Sequence, residues 1–302
     1  MEIKGLLHLF LILLALSVVH SSEDALKDSN LVALNRSNFP AGFIFGTASS
    51  AYQYEGAANE DDRIKDHNNG ANAVDSDHRY KEDVAIMKDL GFDAYRFSIS
   101  WSRLVPKAYA SSVKVAQKGQ IGLTLNSNWM LPSTESATDR IAASRALVFQ
   151  NDWFMEPLKS GMYPVEMVTY VHERLPQFSE EQALMLKESL DFIGINYYTS
   201  NYASDIPCKT ENLSYSTDYC VSLTSERNGI PIGLKVGSEG LYAYPKGIED
   251  LLLYTKYKFN NPVIYITENG VSELDQASLS LEDNMRVDYY SSHLSYIQRA
   301  IT

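Results

Sequence analysis

Short runs rich in apolar and β-favouring residues recur along the chain with helical stretches between them: Phe43 to Thr47, Ala94 to Trp101, Ile121 to Leu125, Phe192 to Tyr198 and Val263 to Thr267. This alternation points to a parallel sheet or a β/α barrel, because each parallel strand needs a crossover before the next. Between the first two runs, Tyr80, Val84, Met87 and Leu90 recur at helical spacing and Gly91 follows as a stop, which predicts one β/α unit closing onto the next strand. Ala137 to Lys159 and Glu180 to Ser189 read as helical, whereas Pro207 to Ser238, polar and Tyr-rich with Pro231 and several glycines, reads as a long loop. At 302 residues and 45% hydrophobic content the chain can bury a sizeable core, as one barrel or as two smaller domains.

The last run leads straight into Glu268-Asn269-Gly270. Parallel barrels carry their chemistry at the C-terminal ends of strands, so this carboxylate stands where a reactive group belongs. The alternative is that Glu268 solvates a strand end while Asn269-Gly270 makes the turn. A formal charge of −12 argues against a nucleic-acid or anionic-membrane surface, which clustered Lys and Arg would have to supply. An uncharged or cationic small molecule fits better, and 20 Tyr, 11 Phe and 3 Trp are compatible with a carbohydrate site, although most serve core and surface. Metal and phosphate chemistry, and with them a cofactor, are not expected. His172-Glu173 lacks the second histidine of a zinc-protease helix, and the chain has neither Cys-x-x-Cys nor a Gly-rich phosphate loop.

At the N-terminus Lys4, an apolar run from Leu6 to Val19 and the small pair Ser21-Ser22 predict a secretory signal over residues 1–22, leaving 23–302 as the mature chain. A spanning helix is the weaker reading, since the run falls short of the roughly 20 residues it needs. The expected location is the secretory pathway: extracellular space, vacuole or endoplasmic reticulum. Cys208 and Cys220, the only cysteines, would pair in that oxidising environment, the alternative being two free thiols. Asn35-Arg36-Ser37 and Asn212-Leu213-Ser214 match the N-glycosylation acceptor pattern. Nothing in the sequence sets an oligomeric state.

Four segments carry a family resemblance: Phe43-Ile44-Phe45-Gly46-Thr47-Ala48-Ser49-Ser50-Ala51-Tyr52-Gln53-Tyr54-Glu55-Gly56, Tyr95-Arg96-Phe97-Ser98-Ile99-Ser100-Trp101-Ser102-Arg103, Asp191-Phe192-Ile193-Gly194-Ile195-Asn196-Tyr197-Tyr198-Thr199-Ser200 and Tyr265-Ile266-Thr267-Glu268-Asn269-Gly270. In that order they resemble the retaining β-glucosidases of glycoside hydrolase family 1, and plant members above all. The resemblance runs from about Phe39 to the end of the chain and implies a (β/α)8 barrel acting on terminal β-D-glucosides. It matches Glu268 to the catalytic nucleophile, which attacks the anomeric carbon to form a covalent glucosyl-enzyme. Arg96 matches the arginine that holds this carboxylate ionised, Tyr198 the tyrosine that hydrogen-bonds it, and Gln53 a residue whose amide bonds sugar hydroxyls.

The chain also departs from that pattern. Relatives follow the Ser-Trp-Ser-Arg strand with two more, the second ending in an Asn-Glu-Pro whose glutamate is the general acid/base. Here Ser100-Trp101-Ser102-Arg103-Leu104-Val105-Pro106 passes directly to Lys107, and Val113 to Gly119 already resembles the approach to the fifth strand. Asn-Glu-Pro is absent from the sequence, the nearest match being Met155-Glu156-Pro157 in a helical context. With Thr302 preceding the eighth strand of relatives, the resemblance implies an incomplete barrel that keeps strands one, two, five, six and seven and lacks three, four and eight. Glu55 and Asp93 match no acid/base position. Two functional expectations follow: a β-glucosidase-type retaining hydrolase with its nucleophile in place, or a catalytically impaired chain with at most sugar binding.

Overall fold

The computed structural model describes residues 34–50, 76–98, 118–187, 189–273 and 283–302. The chain divides into two compact units, one of residues 39–121 and the other of residues 122–302 with the segment up to Asn38.

The smaller unit is the predicted β/α pair. Strands β1 (Gly46–Ser49) and β2 (Ala94–Phe97) run parallel, with Gly46 opposite Ala94 and Ser49 opposite Phe97. Between them in sequence lies helix α1 (Ser76–Asp89), which ends where Gly91 takes a left-handed φ of 75° and Phe92 N–H bonds the Met87 carbonyl at 3.2 Å. Gly46 permits close approach of the strands, since a Cβ there would lie 2.7 Å from the Ala94 carbonyl oxygen. Asp93 closes the start of the pair: its carboxylate accepts from Phe45 N–H at 2.9 Å, and its own N–H donates to the Phe45 carbonyl at 2.8 Å. Asp93 therefore sits at the N-terminal end of β2, the end opposite to that at which barrel chemistry is done.

The larger unit is built on three parallel strands: β3 (Gly122–Asn126), β5 (Phe192–Asn196) and β12 (Ile264–Glu268), with β5 in the middle. Asn126 is paired with Asn196, and Asn196 with Glu268, so the C-terminal residues of all three strands share one end of the sheet. On the central strand Gly194 is a packing requirement, since a Cβ would meet Thr124 Oγ1 at 2.3 Å and the Thr267 methyl at 3.1 Å. Past the ends of β3 and β5 the chain forms a second sheet: β4 (Trp129–Pro132) parallel to β6 (Ser200–Asp205), itself antiparallel to β7 (Val221–Thr224).

Helices cover the unit. After β4 come α2 (Ala137–Leu147), one π-helical turn (Val148–Asp152) and α3 (Trp153–Ser160), matching the helical reading of this stretch. Helices α4 (Val165–Val171) and α5 (Glu180–Leu186) follow. Val148 and Phe149 of the π-helical turn form a buried apolar cluster with Met167 and Val171 of α4 and with Leu175. The short helix α6 (Tyr215–Asp218) precedes β7; α7 (Lys246–Lys258) buries Ile248, Leu251 and Leu252, and α8 (Asn284–Ile301) buries Tyr289, His293 and Ile297.

The segment from Pro207 to Ser238 is more ordered than a loop. It contains α6 and β7, a two-residue hairpin of β8 (Glu226–Arg227) with β9 (Ile230–Pro231), and β10 (Leu234–Lys235), which pairs with β11 (Tyr242–Ala243). Its strands are too short to give a readable hydrophobic period, and tertiary contacts fix them instead. Cys208 and Cys220 form a disulfide. The buried Arg145 of α2 holds that loop, donating to the carbonyls of Tyr219 at 2.6 Å and Cys220 at 2.9 Å and pairing with Asp205 at 2.7 Å.

Candidate active site

Glu268 is the last residue of β12, and the register there is irregular. Ile266 stands opposite Ile195, but it is Glu268, not Thr267, that stands opposite Asn196. One extra residue in a strand is a β-bulge, a device that re-aims side chains next to active sites. Thr267, the extra residue, is fixed by its hydroxyl donating to Asn196 Oδ1 at 2.7 Å.

Directly across the sheet, two neighbouring tyrosines follow β5 and divide the work by pointing opposite ways. Tyr197 is fully buried, and its hydroxyl donates to the Tyr244 carbonyl at 2.6 Å and lies 2.9 Å from Ser200 Oγ. Burial raises the Tyr197 phenol well above its ordinary range, so it stays a neutral donor. Tyr198 faces the strand ends, and its hydroxyl donates to Glu268 Oε2. The backbone ties the same two segments: Tyr197 N–H donates to the Glu268 carbonyl at 3.0 Å.

Asn269 adds a third tie. Its Nδ2 donates to the Tyr197 carbonyl at 2.8 Å and to the Tyr289 hydroxyl of α8 at 3.0 Å. In the sequence Asn269 stands only as a turn residue after Glu268, and nothing there marks Tyr289 as its partner. The available signal was an amide with two N–H donors beside a strand-end carboxylate, which needs acceptors once the turn is buried.

Arg96 lies on β2 in the smaller unit, where its Nη1 donates to the Ser49 carbonyl at 3.3 Å. Gln53 lies outside the described residues, as do Glu55 and the proposed signal segment. Glu156 lies on α3, whose Met155 joins Phe192 and Val263 in lining a cavity of about 300 Å³ at the N-terminal ends of β5 and β12. That helix therefore lines the end of the sheet opposite Glu268. Among the described residues no three His, Cys, Asp or Glu side chains gather as a metal ion would require.

Both the sequence and the fold have known relatives. The model of glycosyl hydrolase family 1 matches residues 35–115 and 107–302. The chain belongs to glycosyl hydrolase family 1. β-Glucosidase 12 of Arabidopsis thaliana is 37% identical over 442 aligned residues, covering 97% of this chain and 86% of that protein. A rice (Oryza sativa subsp. indica) β-glucosidase 12 is 33% identical, covering 97% and 87%. The crystal structure of another rice β-glucosidase superimposes with a TM-score of 0.82 at 26% identity, covering 89% of this chain and 88% of that one. A mutant of that enzyme in a covalent complex with glucose gives 0.83 at the same identity.

These family 1 structures are (β/α)8 barrels, and this chain is an incomplete one. The alignment to the Arabidopsis relative runs over 442 positions although the chain has 302 residues, so a large part of the barrel has no counterpart within it. The two stretches matched by the family model meet between residues 107 and 115, beside the Pro106-Lys107 junction at which the strand pattern skips from the second strand to the fifth. Strands β1, β2, β3, β5 and β12 correspond to the runs read as strands one, two, five, six and seven.

Proposed function

We propose that this chain retains the nucleophilic half of a retaining β-glucosidase, with Glu268 as the nucleophile toward the anomeric carbon of a terminal β-D-glucoside. The observation that carries the reading is the Tyr198 hydroxyl donating to Glu268 Oε2 at the C-terminal end of a parallel strand. A phenol in that place fixes the carboxylate rotamer for attack on the anomeric carbon, forming the covalent glucosyl-enzyme bond as the aglycone oxygen departs. The covalent glucose complex of the rice relative is the kind of intermediate this chemistry implies. The roles of Arg96 and Gln53 rest on their motifs alone.

The second carboxylate is what the sequence lacks. Retaining hydrolysis uses two carboxyl groups about 5 Å apart, one attacking while the other protonates the leaving oxygen and later activates water. With the Asn-Glu-Pro segment absent, general acid/base help worth about 10²–10⁴ in rate is lost, most of all for poor leaving groups. Slow turnover confined to activated aryl β-glucosides is therefore the expected activity. The same absence favours the second reading, a sugar-binding chain without turnover. Aryl and alkyl β-glucoside hydrolysis by wild type and Glu268→Gln separates them. Aryl-selective turnover abolished by the substitution supports the first reading; saturable glucose binding with no turnover supports the second. A secreted product carrying glycans at Asn35 and Asn212, both exposed, completes the proposal.

A further inference from the structure

We propose that Tyr289 is a positioning residue for the Glu268 carboxylate, acting from α8 through Asn269. The inference rests on the reading of Glu268 as nucleophile and assigns a role to a residue outside the strand-end motifs.

The hydroxyl of Tyr289 is buried, with the residue 1% exposed, and accepts from Asn269 Nδ2 at 3.0 Å. The other hydrogen of Asn269 Nδ2 goes to the Tyr197 carbonyl at 2.8 Å, one residue before the tyrosine that donates to Glu268. A single amide thus joins the segment carrying the nucleophile to the segment carrying its donor, and the phenol sets where that amide sits. The phenol is itself a fixed reference point. Its ring stacks on His293 with centroids 3.9 Å apart and meets Tyr290 edge-on at 5.5 Å, while His293 Nδ1 holds the Tyr289 carbonyl at 2.8 Å.

A tyrosine serving only the core would satisfy its hydroxyl on any nearby carbonyl. This one takes a donor from the residue adjoining the reactive carboxylate. Removing its oxygen leaves one Asn269 N–H without its buried acceptor, so the amide turns to seek another. The Tyr197 carbonyl then loses its partner, and the spacing between Tyr198 and Glu268 loosens by a fraction of an ångström. A displacement of about 1 Å at a reacting group costs up to about 10²-fold in rate, so a smaller one costs about tenfold.

The test measures the trapping of Glu268 by an activated 2-deoxy-2-fluoroglucoside in wild type, Tyr289→Phe, Asn269→Ala, the double variant and Lys258→Met. The last weakens a buried ion pair on the helical face and controls for lost stability alone. The expected result is that Tyr289→Phe slows the inactivation step about tenfold with the inhibitor's binding constant unchanged, that adding it to Asn269→Ala costs little more, and that Lys258→Met inactivates at the wild-type rate. Wild-type kinetics in Tyr289→Phe would overturn the positioning role while leaving the nucleophile in place. No adduct on folded wild-type protein would overturn the nucleophile, and the positioning role with it.

Discussion

His293 predicts a specific loss of stability in mild acid. The side chain is fully buried in α8, stacked on Tyr289 and with the Tyr197 ring 6.0 Å away. Because Nδ1 lies 2.8 Å from a carbonyl oxygen, it must carry the proton, which leaves Nε2 as the bare nitrogen, and that atom is buried with no partner among the described residues. Protonation would put a charge and an unpaired N–H into the packed interior, and burial accordingly lowers the imidazole from 6.5 to about 4. A depressed folded value means the unfolded chain takes the proton first. The stabilising contribution is therefore complete above pH 6.5 and is lost as pH falls toward 4. At about 1.4 kcal/mol per pKa unit the full effect is about 3 kcal/mol, with roughly 2 kcal/mol of it lost between pH 7 and pH 5. Urea denaturation of wild type and His293→Phe at those two pH values measures it, since the carboxylates common to both proteins cancel in the difference. The wild type should lose about 2 kcal/mol more than the variant. Equal losses would refute the argument from burial.

Three further outcomes follow from buried contacts. Lys258 Nζ lies 2.6 Å from the fully buried Asp152, which also accepts from Tyr254 at 2.7 Å; Lys258→Met should cost about 3–5 kcal/mol in chemical denaturation, and adding Asp152→Asn should restore most of it. Arg145→Ala should cost about 3 kcal/mol and expose the segment between Cys208 and Cys220 to limited proteolysis, because it frees two carbonyls and Asp205 together. A Cβ on Gly247 of α7 would lie 2.2 Å from both Ser200 Oγ and Tyr197 Oη, so Gly247→Ala should lower stability by about 1–3 kcal/mol in thermal melts.

What the sequence made legible was whatever is written in local pattern. The parallel strands could be read because each is a compact apolar run, and α1 could be read to its stop because Gly91 marks a left-handed turn. Glu268 stood out because a lone charge ended such a run. The hairpins between Thr224 and Ala243 escaped notice because two-residue strands have no period to detect. The bulge at Thr267 is a property of pairing with Asn196, and no single strand encodes it. Asn269 and Tyr289 are 20 residues apart, and only the fold reveals that one amide bridges the phenol and the Tyr197 carbonyl.

Intact mass after incubation with an activated 2-deoxy-2-fluoroglucoside shows whether the incomplete family 1 barrel still presents Glu268 as a nucleophile. The reagent reports the first bond-forming step and, having an activated leaving group, does not need the missing acid. The expected mass carries one added 2-fluoroglucosyl group, located by peptide mapping on Glu268 and absent from Glu268→Gln. An unmodified mass on soluble, cooperatively melting protein, or an adduct mapped to another carboxylate, would contradict it.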